Sequence, residues 1–102
     1  MLLEFSLYPL DKGESVGEYV ARSVDIIDRS GLPYQTHAMG TVLEGEWDAC
    51  FAVVKACYER MRQDCKRVEL ILKLDDREGP PGRFSTKVNS VEKRLGRKIR
   101  RG

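Results

Sequence analysis

Histidine and tryptophan occur once each in this 102-residue chain, and cysteine only three times. With a single histidine and no C-x-x-C pair, the usual metal-ligand spacings are missing, so no metal and no resident cofactor is expected. No apolar run approaches the roughly 18 residues of a membrane span, which argues against a membrane partner. The first residues, Met1-Leu2-Leu3-Glu4-Phe5, place an acid early and lack a basic leader, so they do not read as a secretory signal. Cys50 and Cys57 fall two turns apart on one predicted helix, about 10 Å by helical rise and beyond disulfide reach. Together with Cys65 they read as reduced core thiols of a cytoplasmic protein. A nucleophile elbow and a phosphate-binding glycine loop are also missing, and no catalytic residue is assigned.

What is present suits one folded domain spanning residues 1–102, 41% hydrophobic and 33% charged. The net charge of +2 conceals an uneven distribution. Residues 93–102 hold six basic groups, from Lys93 to Arg101, whereas residues 1–92 hold 12 basic and 16 acidic groups. A basic tail of this kind can touch nucleic acid. It has no aromatic residue for stacking, however, so the solvated-helix reading is preferred and no nucleic-acid partner is expected.

Hydrophobic periodicity gives the elements. Leu3, Phe5 and Leu7 alternate with Glu4, Ser6 and Tyr8, the period of a strand with one buried face, and Pro9 ends it. Ser15-Val16-Gly17-Glu18 has the form of a capping box opening a helix. Val16, Val20, Val24 and Ile27, with Tyr19 and Ser23, form that helix's stripe, and Gly31 supplies its left-handed end. A strand from Tyr34 to about Met39 and another from Thr41 to Glu46 form a hairpin about Gly40. A helix from about Trp47 to Gln63 presents Cys50, Val53, Val54, Cys57 and Met61. The strand Arg67 to Asp75 turns Val68, Leu70, Leu72 and Leu74 one way and Glu69, Ile71 and Lys73 the other. Beyond the stiff turn Gly79-Pro80-Pro81-Gly82, Phe84, Val88, Val91 and Leu95 recur at helical spacing. The order β-α-β-β-α-β-α predicts an α+β, ferredoxin-like split βαβ fold with a four-stranded antiparallel sheet in the order 4-1-3-2.

Two helices then cover one sheet face and leave the other open. If the leucines face the helices, the open face carries Glu4, Ser6 and Tyr8 beside Glu69, Ile71 and Lys73. Glu44 joins them if Val42 and Glu44 point that way, a parity that alternation alone leaves undecided. Such a face is either an ordinary wetted surface with cross-strand ion pairs or a pocket formed where two copies meet. Three local groups stand out: His37-Ala38-Met39-Gly40, the junction Thr41 to Trp47, and Asp75-Asp76-Arg77. On residues alone the reading stops at a ligand-binding or regulatory module.

Ser6-Leu7-Tyr8-Pro9-Leu10, Ser30-Gly31-Leu32-Pro33-Tyr34, the block Met39-Gly40-Thr41-Val42-Leu43-Glu44-Gly45-Glu46-Trp47, and Lys73-Leu74-Asp75-Asp76-Arg77 together resemble the signature of the small thiamine-binding protein family. The likeness runs from about Leu3 to Val91; Glu69 departs from it, since relatives often carry a small polar residue there. It implies a ferredoxin-like fold in dimers or tetramers, and binding of thiamine or its hydroxymethylpyrimidine portion without turnover. Among matched positions, Ser6, Thr41 and Glu44 are expected at the pyrimidine. Glu44 or Asp76 is expected to balance the cationic thiazolium, and Tyr34, Met39 and Trp47 to form an apolar wall. His37 and Lys73 complete the candidate set. Two other classes stay open. One is an enzyme acting on a related heterocycle, with Glu44 or His37 moving a proton. The other is an oligomeric nucleic-acid-binding module that uses the basic tail.

Overall fold

The computed structural model describes residues 1–14, 16–79 and 83–100. Its elements follow in the order β1 (Leu2–Pro9), α1 (Gly17–Arg29), β2 (Tyr34–His37), β3 (Gly40–Glu44), α2 (Trp47–Arg62), β4 (Val68–Asp75) and α3 (Arg83–Leu95). The four strands form one antiparallel sheet in the order β2-β3-β1-β4, the expected order read from its other edge. β2 is shorter than expected, because the chain turns at Ala38 and Met39.

The period-two pattern of β1 puts Leu3, Phe5 and Leu7 under α1 and α2. There they join Leu43, Ile27 and the α2 stripe Cys50, Val53, Val54, Cys57 and Met61, with Cys65 just beyond it. Burying a side chain of Leu or Phe size contributes about 1.5–3 kcal/mol, so this cluster is the main source of stability. All three cysteines are buried and free. Gly31 ends α1 with φ +77°, in the left-handed region expected for it. Val16 is the N-cap of α1 and makes no side-chain capping bond. Ser15 of the expected capping box lies outside the described residues, as do Pro80, Pro81 and Gly82 of the stiff turn. Glu18 instead pairs with Arg22 one turn on, at 2.8 Å.

The α1 stripe is unevenly covered. Ile27 and Ser23 are buried, Val24 is half-buried, and Val20 is 38% exposed. The sheet explains the gradient. β4 pairs with all of β1, from Leu2↔Asp75 to Pro9↔Val68, but β3 pairs only with Leu2–Phe5. Beneath the first half of α1, one strand's worth of sheet is missing.

Candidate functional site: a notch in the sheet

The registers settle which side chains share a face. Leu43 lies opposite Leu3 and Thr41 opposite Phe5, so both point toward the helices. Val42 and Glu44 therefore lie on the open face with Glu4, Ser6 and Tyr8 of β1, His37 of β2, and Glu69, Ile71 and Lys73 of β4.

Position along the strands divides the expected site in two. Glu44 stands opposite Leu2, whereas Ser6 lies four residues further along β1, beside Ile71. At about 3.3 Å per residue they are some 13 Å apart along the strand direction. Lys73 is opposite Glu4, between the two. Asp76 follows the end of β4 on the Glu44 side, next to Asp75, which binds Lys87 of α3. Ser6, Glu44 and Lys73 thus share a face and neighbouring strands without forming one cluster.

At the Ser6 end lies a cavity of about 350 Å³. Its floor is the half of β1 that β3 does not reach: Ser6, Leu7 and Tyr8, with Ile71 of β4 alongside. The hairpin closes one side through Thr36, His37, Met39, Gly40 and Thr41, and α1 roofs it with Val16, Val20, Ser23, Val24 and Ile27. The opening passes through the sheet, from the helix layer to the open face. The short hairpin is its cause. Neither Ala38 nor Met39 has a positive φ, so this two-residue loop is not the primed turn whose twist matches flanking strands.

The polar groups of the cavity differ in how well they are satisfied. Thr36 and Thr41 share a hydrogen bond between their hydroxyls at 3.0 Å. Ser23 is only 7% exposed, and its side chain hydrogen-bonds the Cys57 thiol of α2. Its carbonyl accepts a hydrogen bond from the Cys57 thiol at 3.6 Å. At the rim, His37 Nδ1 accepts the Met39 N–H at 3.2 Å, and Nε2 lies 3.2 Å from Glu4 Oε2. With Nδ1 occupied as an acceptor, the ring proton sits on Nε2 and is donated to Glu4. Across the mouth the Tyr8 hydroxyl donates to the Glu69 carboxylate. That bond, with some desolvation and the charge of Glu69, holds the phenol above its ordinary pKa.

Of the expected site residues, Ser6, His37, Met39 and Thr41 line this cavity. The other five do not. Tyr34 points to the helix side and donates its hydroxyl to Asp28 at 2.8 Å, tying β2 to α1. Trp47 stands at the start of α2, 57% exposed, with its ring 4.5 Å from that of Phe51. Of the expected apolar wall Met39 alone lines this cavity, whose apolar lining otherwise includes Val16, Val20, Val24 and Ile27. Ser23 and Thr36, which also line the cavity, are absent from the candidate set read from the sequence. The signal for Ser23 was present: it is a hydroxyl set in the apolar stripe of α1.

Residues 3–92 match the family model described as "Thiamine-binding protein". The chain belongs to that family. It is 41% identical over 96 residues to the UPF0045 protein Mb1933 of Mycobacterium bovis, a match covering 93% of this chain and 94% of that one. With the UPF0045 protein MJ1052 of Methanocaldococcus jannaschii it shares 35% over 95 residues, covering 93% and 88%. The crystal structure of MJ1052 superposes with a TM-score of 0.82 over 88% of this chain and 93% of that one. A Thermotoga maritima structure described as a proposed thiamine biosynthesis/salvage protein superposes with a TM-score of 0.77, covering 88% and 96%. At 23% identity it attests to the shared fold alone. Family membership associates this chain with thiamine. Among the described residues, no helix is long and apolar enough to cross a membrane, and no three metal-ligating side chains cluster.

Proposed function

We propose that this protein binds thiamine or its hydroxymethylpyrimidine portion, without turnover, in the cavity beside β1. The observation that carries the reading is a largely apolar cavity into which Ser6, Ser23, Thr36 and Thr41 bring a few hydroxyl-bearing side chains. A volume of about 350 Å³ falls in the range of small-molecule sites, which combine apolar walls with a few fixed polar groups. Carboxylates at the open-face rim, Glu4 and Glu69, suit a cation held just outside the chamber.

Binding rather than catalysis is favoured by what the interior offers. Ser23, Thr36 and Thr41 present hydroxyls, and a hydroxyl becomes a nucleophile only beside a general base. On this reading the ligand-binding set is Ser6, His37, Met39, Thr41 and Ser23. Glu44, Trp47, Lys73, Tyr34 and Asp76 lie outside it.

The protein is proposed to be cytoplasmic, in keeping with its free buried thiols, and to assemble as a dimer or tetramer. Exposed Ile71 on the open face, with exposed Val91 and Leu95 on α3, supports assembly through these surfaces. Sedimentation of the purified protein tests it, and a monomer at micromolar concentration would refute it. The test of function is calorimetric titration with thiamine, with recovered ligand checked for chemical change. Binding with unchanged ligand is expected, weakened in Ser6→Ala and retained in Glu44→Gln. Absence of heat at millimolar thiamine, or a converted product, would overturn it.

A further inference from the structure

Resting on that reading, we infer that the main chain of Leu7 recognises the ring edge of the ligand, and that the site selects 4-aminopyrimidines over 4-oxopyrimidines. The argument begins with strand parity. Met1 and Gly45 exchange both of their hydrogen bonds, amine to carbonyl at 2.9 Å and amide to carbonyl at 3.1 Å. On the other side of the strand, Leu10 N–H donates to the Arg67 carbonyl at 2.8 Å. Peptide groups alternate in direction along a strand, so odd-numbered residues of β1 turn theirs toward β3 and even-numbered ones toward β4. The β1–β3 ladder ends at Phe5↔Thr41. The next odd residue is Leu7, whose partner position falls on Met39 in the hairpin turn.

Leu7 is therefore a strand residue with its side chain in the core, 6% exposed, and its N–H and C=O turned into the notch. A backbone donor and acceptor side by side are the pattern an added strand would satisfy. The cavity is bounded by α1 and the hairpin and holds about 350 Å³, so the occupant is a small molecule and not a strand.

A 4-aminopyrimidine supplies the complement. Its ring nitrogen beside the amino group accepts from the Leu7 N–H, and the amino group donates to the Leu7 C=O. In the 4-oxo ring both positions invert: the ring nitrogen carries a hydrogen and the exocyclic oxygen accepts. Donor then faces donor and acceptor faces acceptor. Sites that pair a ligand's hydrogen-bonding groups reject mismatched analogues by large factors, on the order of 10⁴ in favourable cases. Ser23 lines the same space from α1, its hydroxyl held by the weakly bonding Cys57 thiol.

The test compares thiamine, 4-amino-5-hydroxymethyl-2-methylpyrimidine and the 4-oxo analogue of thiamine by calorimetry. Amide NMR of the intact protein runs in parallel. We expect the two amino compounds to bind and the 4-oxo analogue to bind at least a hundredfold more weakly. The Leu7 amide proton should move downfield and exchange more slowly with thiamine bound. Comparable affinity for amino and oxo forms, or an unmoved Leu7 amide, would overturn this inference and leave the thiamine site standing. Failure of both amino compounds to bind would overturn the thiamine reading itself.

Discussion

Gly40 approaches Phe5 so closely that a Cβ added to it would stand 2.7 Å from the Phe5 carbonyl oxygen. The contact is backbone on backbone, so no side-chain rotation relieves it. It fixes where β3 begins, and hence where the notch in the sheet starts.

Gly40→Ala should push the hairpin away from β1. Overpacking of this kind costs about 1–3 kcal/mol, and in a domain this size each kcal/mol lowers the melting temperature by roughly 4–8 °C. Thiamine affinity should fall with it, because the hairpin forms one wall of the cavity. An unchanged melting temperature would show that the hairpin is free to move.

Ser23→Ala should separate stability from binding. The bond it removes, to the Cys57 thiol, is a weak one, and alanine is the better helix former by about 0.5 kcal/mol, so the two effects offset. The melting temperature should hold or rise slightly while thiamine affinity drops several-fold. A loss of more than about 1 kcal/mol in chemical unfolding would mean the hydroxyl serves the fold and not the ligand alone.

The cysteines should be inert in the folded state. Burial pushes the Cys57 thiol up to about 11, and burial also raises Cys50. Only the thiolate reacts, so a thiol reagent at pH 8 should label the native protein slowly and the guanidinium-unfolded protein at all three positions. Rapid labelling of Cys57 without denaturant would contradict the packing of α2 against α1.

Acid should weaken the join between α1 and the end of α2. Arg60 and then Arg22 bond the Asp64 carboxylate and hold its pKa below the ordinary carboxylate range. Asp11, which accepts the Lys66 N–H, is lowered in the same way. A carboxylate with a lowered folded-state pKa stabilises above its unfolded value, and that contribution disappears as pH falls through the folded one. Thermal stability should therefore decline below about pH 4, and Asp64→Asn should flatten part of that decline. Equal acid sensitivity in wild type and variant would remove Asp64 from this account.

The strands, helices and sheet order were legible because each rests on a local period: alternation in Leu3-Phe5-Leu7, the α2 stripe from Cys50 to Met61, the left-handed stop at Gly31. The open face was legible only conditionally, since the parity of Val42 and Glu44 depends on pairing with Leu2 and Glu4. Register, which the sequence leaves open, sets Glu44 four rungs from Ser6. Two residues on adjacent strands of one face can still lie four rungs apart, and spacing within one strand says nothing of its offset from the next. The cavity was hidden for the same reason. It arises from unequal pairing on the two sides of β1, and the nearest trace in the sequence is the serine amid the valines of α1.

The unequal ladder makes chamber size a function of hairpin length. Two residues added to each arm of the β2–β3 hairpin would bring a partner opposite Leu7 and zip the missing rung shut, turning a vessel into a solid wall. A chain with the same core and the same helices would then have nowhere to put a guest. Capacity in this architecture is thus governed by where one turn is made, largely apart from what packs beneath it.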